Sequence, residues 1–287
     1  MGWRQACGRR RIPWVWVFAI CVVLPMAARA QTPSPLQEWQ YPGGVMLEKL
    51  FDVHVPEWQF VLGAGTALKP IYDGARTYDV SAGPVIDIRY RDIAFASDGE
   101  GIGVNILRGD NYRAGIALAY DLGRRVEQYP SHLQGLGDIE PAPVVKLFAS
   151  YAISKSFPLV LRVDVRRVVG GADGWIGDLS AYMPLPGSSK RLVMFAGPSI
   201  TLGAGDYMQH VFGVDSVQAV RSGYPVYNAS AGLEAAGMGF SLTWFFRKHW
   251  LLNVDTAVDR LLGSAENSPI TQNKTQGIVA LSIAYRW

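Results

Sequence analysis

Gly277-Ile278-Val279-Ala280-Leu281-Ser282-Ile283-Ala284-Tyr285-Arg286-Trp287 closes the sequence. Successive side chains of a β-strand point to opposite faces. Val279, Leu281, Ile283, Tyr285 and Trp287 therefore share one face, apolar throughout and aromatic at its end. Ala280, Ser282, Ala284 and Arg286 share the other, which is small and polar. A soluble domain gains little from such a terminal strand. A closed barrel in the bacterial outer membrane needs one, because one face meets lipid, the other lines the lumen, and aromatics sit at the interface.

The same alternation recurs toward the N-terminus. Trp58, Phe60, Leu62, Ala64 and Thr66 share a face, and so do Tyr78, Val80, Ala82, Pro84, Ile86, Ile88 and Tyr90. Residues 93–106 are extended but broken by glycine. Ala114, Ile116, Leu118 and Tyr120 oppose Arg113, Gly115 and Asp121, and Val145, Leu147, Ala149, Tyr151 and Ile153 oppose Lys146 and Ser150. Leu159, Leu161, Val163 and Val165 oppose Arg162, Asp164 and Arg166. Further strands are expected near 174–184, 190–202, 226–236, 237–247 and 250–261. This makes about twelve segments of roughly ten residues, the length a tilted strand needs to cross the outer membrane. An all-β fold follows: a transmembrane, antiparallel, up-and-down β-barrel over 58–287. An even strand count returns both termini to the periplasm. Closure is required because an open sheet edge in lipid leaves backbone groups unpaired.

Residues 1–30 read as a cleaved secretory signal. Arg4, Arg9, Arg10 and Arg11 precede an apolar run from Trp14 to Met26, and Ala28-Arg29-Ala30 supplies the small-residue cleavage pattern before Gln31. The run is short for a membrane-spanning helix, and no later segment offers one. Residues 31–57 are expected to form an N-terminal periplasmic segment. Both cysteines, Cys7 and Cys21, belong to the signal, so no disulfide or cysteine-based metal site is expected in the mature chain. Five of the 27 Lys and Arg residues lie before Gln31 and none of the 24 Asp and Glu residues does, which turns the formal charge from +3 to −2. The basic character of the whole chain is thus no argument for nucleic-acid binding.

Soluble sandwiches and lipocalin-like barrels also alternate, with their apolar residues inward. Three features favour the membrane barrel. The polar faces mix Arg, Asp, Ser and Gly, as a lumen does. Trp58, Tyr78, Tyr90, Tyr112, Tyr120, Trp250 and Trp287 gather at strand ends, as an interfacial girdle requires. The secretion signal and the terminal strand agree with both.

A resemblance can now be named. Pro70-Ile71-Tyr72-Asp73-Gly74, Gly101-Ile102-Gly103, Ala119-Tyr120-Asp121-Leu122-Gly123-Arg124 and Gly135-Leu136-Gly137-Asp138 occur in order. They are followed by Tyr207-Met208, Phe212-Gly213-Val214, Ser222-Gly223-Tyr224-Pro225, Leu262-Gly263, Ser268-Pro269-Ile270 and the ending Ala284-Tyr285-Arg286-Trp287. Taken together, from about Trp58 to Trp287, they resemble the MipA/OmpV family of outer-membrane proteins. The resemblance implies a non-enzymatic scaffold in the outer membrane. Its partners would be membrane lipid and two periplasmic murein enzymes, a lytic transglycosylase and a penicillin-binding protein.

Two sizeable connections offer docking surfaces. One runs from Arg124 to Pro143. The other, from Gly203 to Pro225, is expected to hold a short helix at Asp215–Arg221 capped by Asp215 or Ser216. Counting strands from a periplasmic N-terminus puts both on the periplasmic side, with the loops at Lys69–Thr77 and Leu262–Gln276 outside. That conflicts with the usual short periplasmic turns. The conflict points to a docking role, a count wrong by one strand, or a plug folded into the lumen; the first and third are preferred.

Other functions leave weaker traces. The four histidines, His54, His132, His210 and His249, show neither a barrel-phospholipase His-x-Ser nor metal-ligand spacing with a carboxylate. Gly99–Gly103 lacks the following helix a phosphate loop needs, and no EF-hand-like acidic loop is present. No catalytic, cofactor-binding or metal residue is therefore assigned. The lumen face carries Asp79, Asp87, Arg89, Arg113, Asp121, Lys146, Arg162, Asp164, Arg166, Asp178, Glu234, Asp255 and Asp259. Charges of both signs on neighbouring strands are expected to pair and fill a barrel of this size. The alternatives are a small-solute channel or an adhesin-like surface protein.

Overall fold

A computed structural model describes residues 57–154 and 156–287. The leader expected at 1–30, and the segment expected at 31–57 apart from Glu57, lie outside the described residues. The strands are β1 (Trp58–Pro70), β2 (Tyr78–Tyr90), β3 (Ala94–Ser97), β4 (Gly101–Arg108), β5 (Tyr112–Asp121) and β6 (Ala142–Ala152). They continue as β7 (Val160–Val168), β8 (Gly174–Pro184), β9 (Leu192–Gly203), β10 (Gly232–Trp244), β11 (Trp250–Leu261) and β12 (Thr275–Arg286). Each pairs antiparallel with its neighbours in sequence, and β12 pairs with β1 to close the barrel. The closing seam sets Leu62 opposite Tyr285 and Thr66 opposite Leu281. Closure leaves no strand edge to be desolvated in lipid, where each unpaired backbone group costs several kcal/mol.

The alternation behaves as the lipid-facing reading requires. Val279, Leu281 and Ile283 of β12 lie exposed on the outer wall, as do Leu161, Val163 and Val165 of β7. Their sequence neighbours Arg162, Asp164 and Arg166 are buried inside. An outer surface of exposed aliphatic side chains around a charged interior is the inverse of a soluble barrel.

The strand total agrees with the expectation, but its composition does not. Residues 93–106 form two strands, β3 and β4, separated by a tight turn at 98–100. Gly101 follows that turn at φ +84°, and a Cβ there would sit 2.2 Å from the Leu118 carbonyl oxygen, so only glycine fits. Conversely, 226–236 and 237–247 are not a hairpin, because β10 runs unbroken from Gly232 to Trp244. Gly237 has a different purpose. A Cβ there would lie 1.9 Å from the Asp259 carboxylate and 2.5 Å from the Val258 carbonyl, so its lack of a side chain admits Asp259 of the neighbouring strand.

These two errors cancel in the total and invert the direction of every strand between them. The connections at 124–143 and 203–225 therefore lie at the same end of the barrel as those at 69–77 and 262–276. The sidedness expected from the sequence is corrected: with the strands recounted, the long connections share one end and the conflict disappears. We call this the loop end. The opposite, turn end carries short connections, Glu57 and the C-terminal Trp287. Trp58, Phe60, Tyr112, Tyr151, Trp244, Trp250 and Trp287 are exposed there, forming one aromatic girdle.

The loop end is capped. The cap contains a 3₁₀ turn at Val126–Gln128, α1 (Pro130–Leu133), α2 (Gly205–Phe212), α3 (Ser216–Ser222) and α4 (Gly263–Glu266). Helix α3 starts where the sequence places it: the Asp215 side chain accepts from the Val217 and Gln218 amides and Gln218 bonds back, a capping box. Helix α2, not foreseen, lies over the barrel mouth. Its Tyr207, Met208 and Phe212 pack with Val144, Val168, Ile176 and Leu261 of the wall. A second cluster joins Tyr72, Ala75, Leu133, Leu136, Val214 and Ile270 from four connections. Side chains tie the connections together: Ser268 Oγ donates to the Phe212 carbonyl (2.6 Å), Gln218 Nε2 to the Leu136 carbonyl (2.6 Å) and the Tyr227 hydroxyl to the Ser264 carbonyl (2.8 Å).

Candidate functional site

The lumen is organised in two levels. Toward the turn end, alternation aims charges of both signs inward from β2 and β5–β8. Arg89 Nη2 lies 2.7 Å from Glu100 Oε2, and its Nε lies 3.0 Å from Asp87. Arg162 grips Asp164 with two bonds, 2.7 and 3.0 Å. It also lies 3.6 Å from the second oxygen of Glu100. Glu100, delivered by the β3–β4 turn, thus joins two arginines from opposite parts of the wall. Arg162 and Lys146 also stand over the Phe148 ring, at 5.5 and 5.9 Å. Lys146, Arg162 and Tyr182 are among the largest fully buried side chains, so this level of the barrel is packed. The remaining side of the wall carries a polar chain in which Thr243 Oγ1 donates to Asn253 Oδ1 (2.5 Å) and Asn253 Nδ2 to Asp255.

The second level, under the cap, encloses a cavity of about 140 Å³. Its charged lining is Asp73, Asp121, Asp178, Glu234 and Asp259, with Arg124 and Arg166. Each acid comes from a different element. Arg166 pairs with Asp178, which also accepts from Thr201 Oγ1 (2.6 Å). Asp121 accepts from the Gly123 amide (2.8 Å) and Asp73 from Gln276 Nε2 (3.4 Å). Arg124 Nη1 donates to the Val211 carbonyl of the cap (3.0 Å), and its guanidinium stands 5.9 Å from the Tyr72 ring. Tyr207 and Val211 from α2 roof the space, while Ile139, Ile176, Leu261 and Ile278 give it apolar walls.

Glu234 reaches this cavity through a fault in the ladder. The β9–β10 register slips between Leu233 and Ala235, setting Leu233 opposite Leu202 and Ala235 opposite Thr201. The extra residue is Glu234. A bulge re-aims a side chain, and here Glu234 and Ala235, adjacent in sequence, are both buried. Among the described residues Oε2 of Glu234 has no hydrogen-bond partner, although the residue is only 5 % exposed.

Burial shifts the titration of the cap residues. Desolvation raises the Asp73 carboxyl, with Asp121 adding to the rise and the Gln276 bond, Lys69 and Arg124 opposing it. Desolvation likewise raises the Tyr207 hydroxyl, helped by Glu234 and Asp73. It lowers His132, which lies between the rings of Tyr129 and Tyr224, each 5.8 Å away.

The thirteen charged residues expected inside all stand on inward-facing positions. Asp79 and Asp259 are half-buried and the others are buried. Sequence reading missed Glu100, Asp73 and Asp92, which enter from connections, where no alternation marks a face. His132 and His210 stand on two different helices of the cap, and His249 lies in the β10–β11 turn at the other end. His210 Nδ1 lies 2.7 Å from the Asp206 carbonyl and His249 Nδ1 lies 2.9 Å from the Arg286 carbonyl; His54 lies outside the described residues. Among the described residues, no three His, Cys, Asp or Glu side chains come together to hold a metal ion.

A closed barrel of twelve antiparallel strands, apolar outside and ion-paired inside, defines a β-barrel of the outer-membrane type. More particularly, the family described as MltA-interacting protein MipA matches residues 62–287, and the chain belongs to that family. No curated protein matches the chain. Among solved structures it is similar to the NanC porin, at 9 % identity and TM-score 0.41 over 79 % of this chain and 98 % of that one. It is also similar to the CymD monoaromatic hydrocarbon channel, at 10 % identity and TM-score 0.41 over 90 % and 94 %. The Pseudomonas putida toluene transporter TodX is similar at 9 % identity and TM-score 0.36, over 82 % and 90 %.

Proposed function

We propose that this protein is a resident of the bacterial outer membrane, exported by a cleaved leader at 1–30, and that it acts through binding rather than catalysis. In this reading the turn end and residues 31–57 face the periplasm and the capped loop end faces outward. Its role follows the family resemblance: holding murein enzymes, a lytic transglycosylase and a penicillin-binding protein, at the membrane, in keeping with a family described as MltA-interacting. The observation that carries the reading is the packed lower lumen. A barrel whose core is locked by Arg89, Glu100 and Arg162 under a tied cap is built as a rigid body, which suits a scaffold better than a pore. The corrected loop orientation moves the docking surface. Periplasmic enzymes would meet 31–57 and the short turns, not 124–143 or 203–225.

Crosslinking in intact envelopes tests this. Murein enzymes should co-purify with the full mature protein, survive shortening of 203–225, and be lost on deletion of 31–57. The competing reading, a small-solute channel, draws support from the cavity under the cap. Planar bilayers separate the two: silence supports the packed barrel, and steady large openings support the channel.

A further inference from the structure

The cavity under the cap has more acid than its own bases can answer. Five carboxylates face two guanidinium groups, a formal balance of −3. Arg166 is already engaged by Asp178. The second guanidinium, Arg124, donates to the Val211 carbonyl and stands by Tyr72, and with Lys69 it acts on Asp73, which leaves the set still net acidic. Burying like charges together is costly unless something compensates them. The independent sign of a missing occupant is Glu234. A bulge interrupts the β9–β10 ladder at this residue, its side chain lines the cavity, and Oε2 is buried with no donor. An orphaned buried carboxylate oxygen calls for an explanation, and among the described residues none donates to it.

We propose that this cavity binds a small organic cation, specifically a short alkyl diammonium. Three observations select this class. The acids are spread around the wall and, among the described residues, no three converge as metal ligands, which suits donors separated along a ligand rather than one point charge. Isoleucine and leucine side chains lie between the acids, matching a hydrocarbon spacer. The volume of about 140 Å³ lies below the roughly 300–1,000 Å³ of drug-sized sites, so an oligosaccharide or lipid does not fit. One ammonium donates to Glu234 Oε2 and the other is held toward Asp73 of the β1–β2 connection.

The test uses the full mature barrel in detergent, with 1,4-diaminobutane as the probe and calorimetry as the readout. Saturable binding that weakens at least tenfold in Glu234→Gln supports the proposal. Asp259→Asn, on a different strand, should also weaken it, and guards against a Glu234 variant that fails to fold. Folding of each variant is checked by its heat-dependent shift on a gel. Absence of saturable binding to the parent protein overturns the proposal. So does binding left unchanged by both substitutions, and so does magnesium binding that excludes the diamine. None of these outcomes depends on whether murein enzymes dock at the other end.

Discussion

Glu100 is the residue on which the packed level of the lumen turns. It bonds Arg89 and faces Arg162, with all three side chains almost wholly inaccessible. Removing one partner of a buried ion pair leaves the other charge uncompensated and costs about 3–5 kcal/mol. Glu100→Ala should therefore lower the urea midpoint of the folded barrel by that equivalent, whereas Glu57→Ala, which breaks only the exposed Arg91 pair, should barely move it. At the other level, Asp73 works against folding at neutral pH. Its carboxyl is raised above 3.8, chiefly by desolvation. The native state therefore holds a proton that the unfolded state has already released, and stability falls as pH rises from about 3.8 through the raised value. Asp73→Asn should raise the melting temperature near pH 7.5 and leave it unchanged below the ordinary aspartate range. An equal gain at both pH values would show that the charge is not responsible.

At the scale of elements, strand identity was legible wherever lipid and lumen impose opposite chemistry on alternate residues. The Arg162–Arg166 stretch of β7 is the clearest case. Legibility failed where small residues blur that contrast. In 93–106, Ala94 and Ala96 share one face and Gly99, Gly101 and Gly103 the other, so the breaks by glycine did not single out 98–100 as a turn. In β10, the expected division between 226–236 and 237–247 falls at Gly237, whose cause lies on another strand, in Asp259. Most of the cavity's acids were legible as inward-facing, but their gathering under the cap was not. It depends on strand direction, on a bulge that breaks the period at Glu234, and on Asp73 in a connection. The account of Gly237 makes a prediction. Gly237→Ala should force β10 from β11, because the Val258 carbonyl is fixed backbone, and overpacking of this kind costs about 1–3 kcal/mol. Less heat-resistant folded barrel on a gel is the expected result. Asp215→Ala removes the capping box of α3, worth about 1 kcal/mol. Faster amide exchange should be confined to Ser216–Ser222, since no residue of that helix is buried.

For the whole molecule, the arrangement of ends decides what each surface can meet. All connections long enough to form a cap lie at one end, ringed by exposed Tyr78, Tyr120 and Trp175, while the turn-end girdle, Glu57 and Trp287 lie at the other. If the termini are periplasmic, the cap and its acidic cavity open to the outside, and murein lies beneath the short turns. The chain offers a clean measurement, because its two cysteines both precede Gln31. If the leader at 1–30 is removed as proposed, a single cysteine introduced afterwards is the only thiol after Ala30. Val220 on α3 is 88 % exposed, and Lys248 occupies the β10–β11 turn. Val220→Cys should react with a membrane-impermeant maleimide on intact cells. Lys248→Cys should react only after the outer membrane is permeabilised. The reverse pattern would put the cap in the periplasm and return 203–225 to contention as the murein-enzyme dock. Labelling of both positions on intact cells would mean that the barrel does not seal the membrane around it.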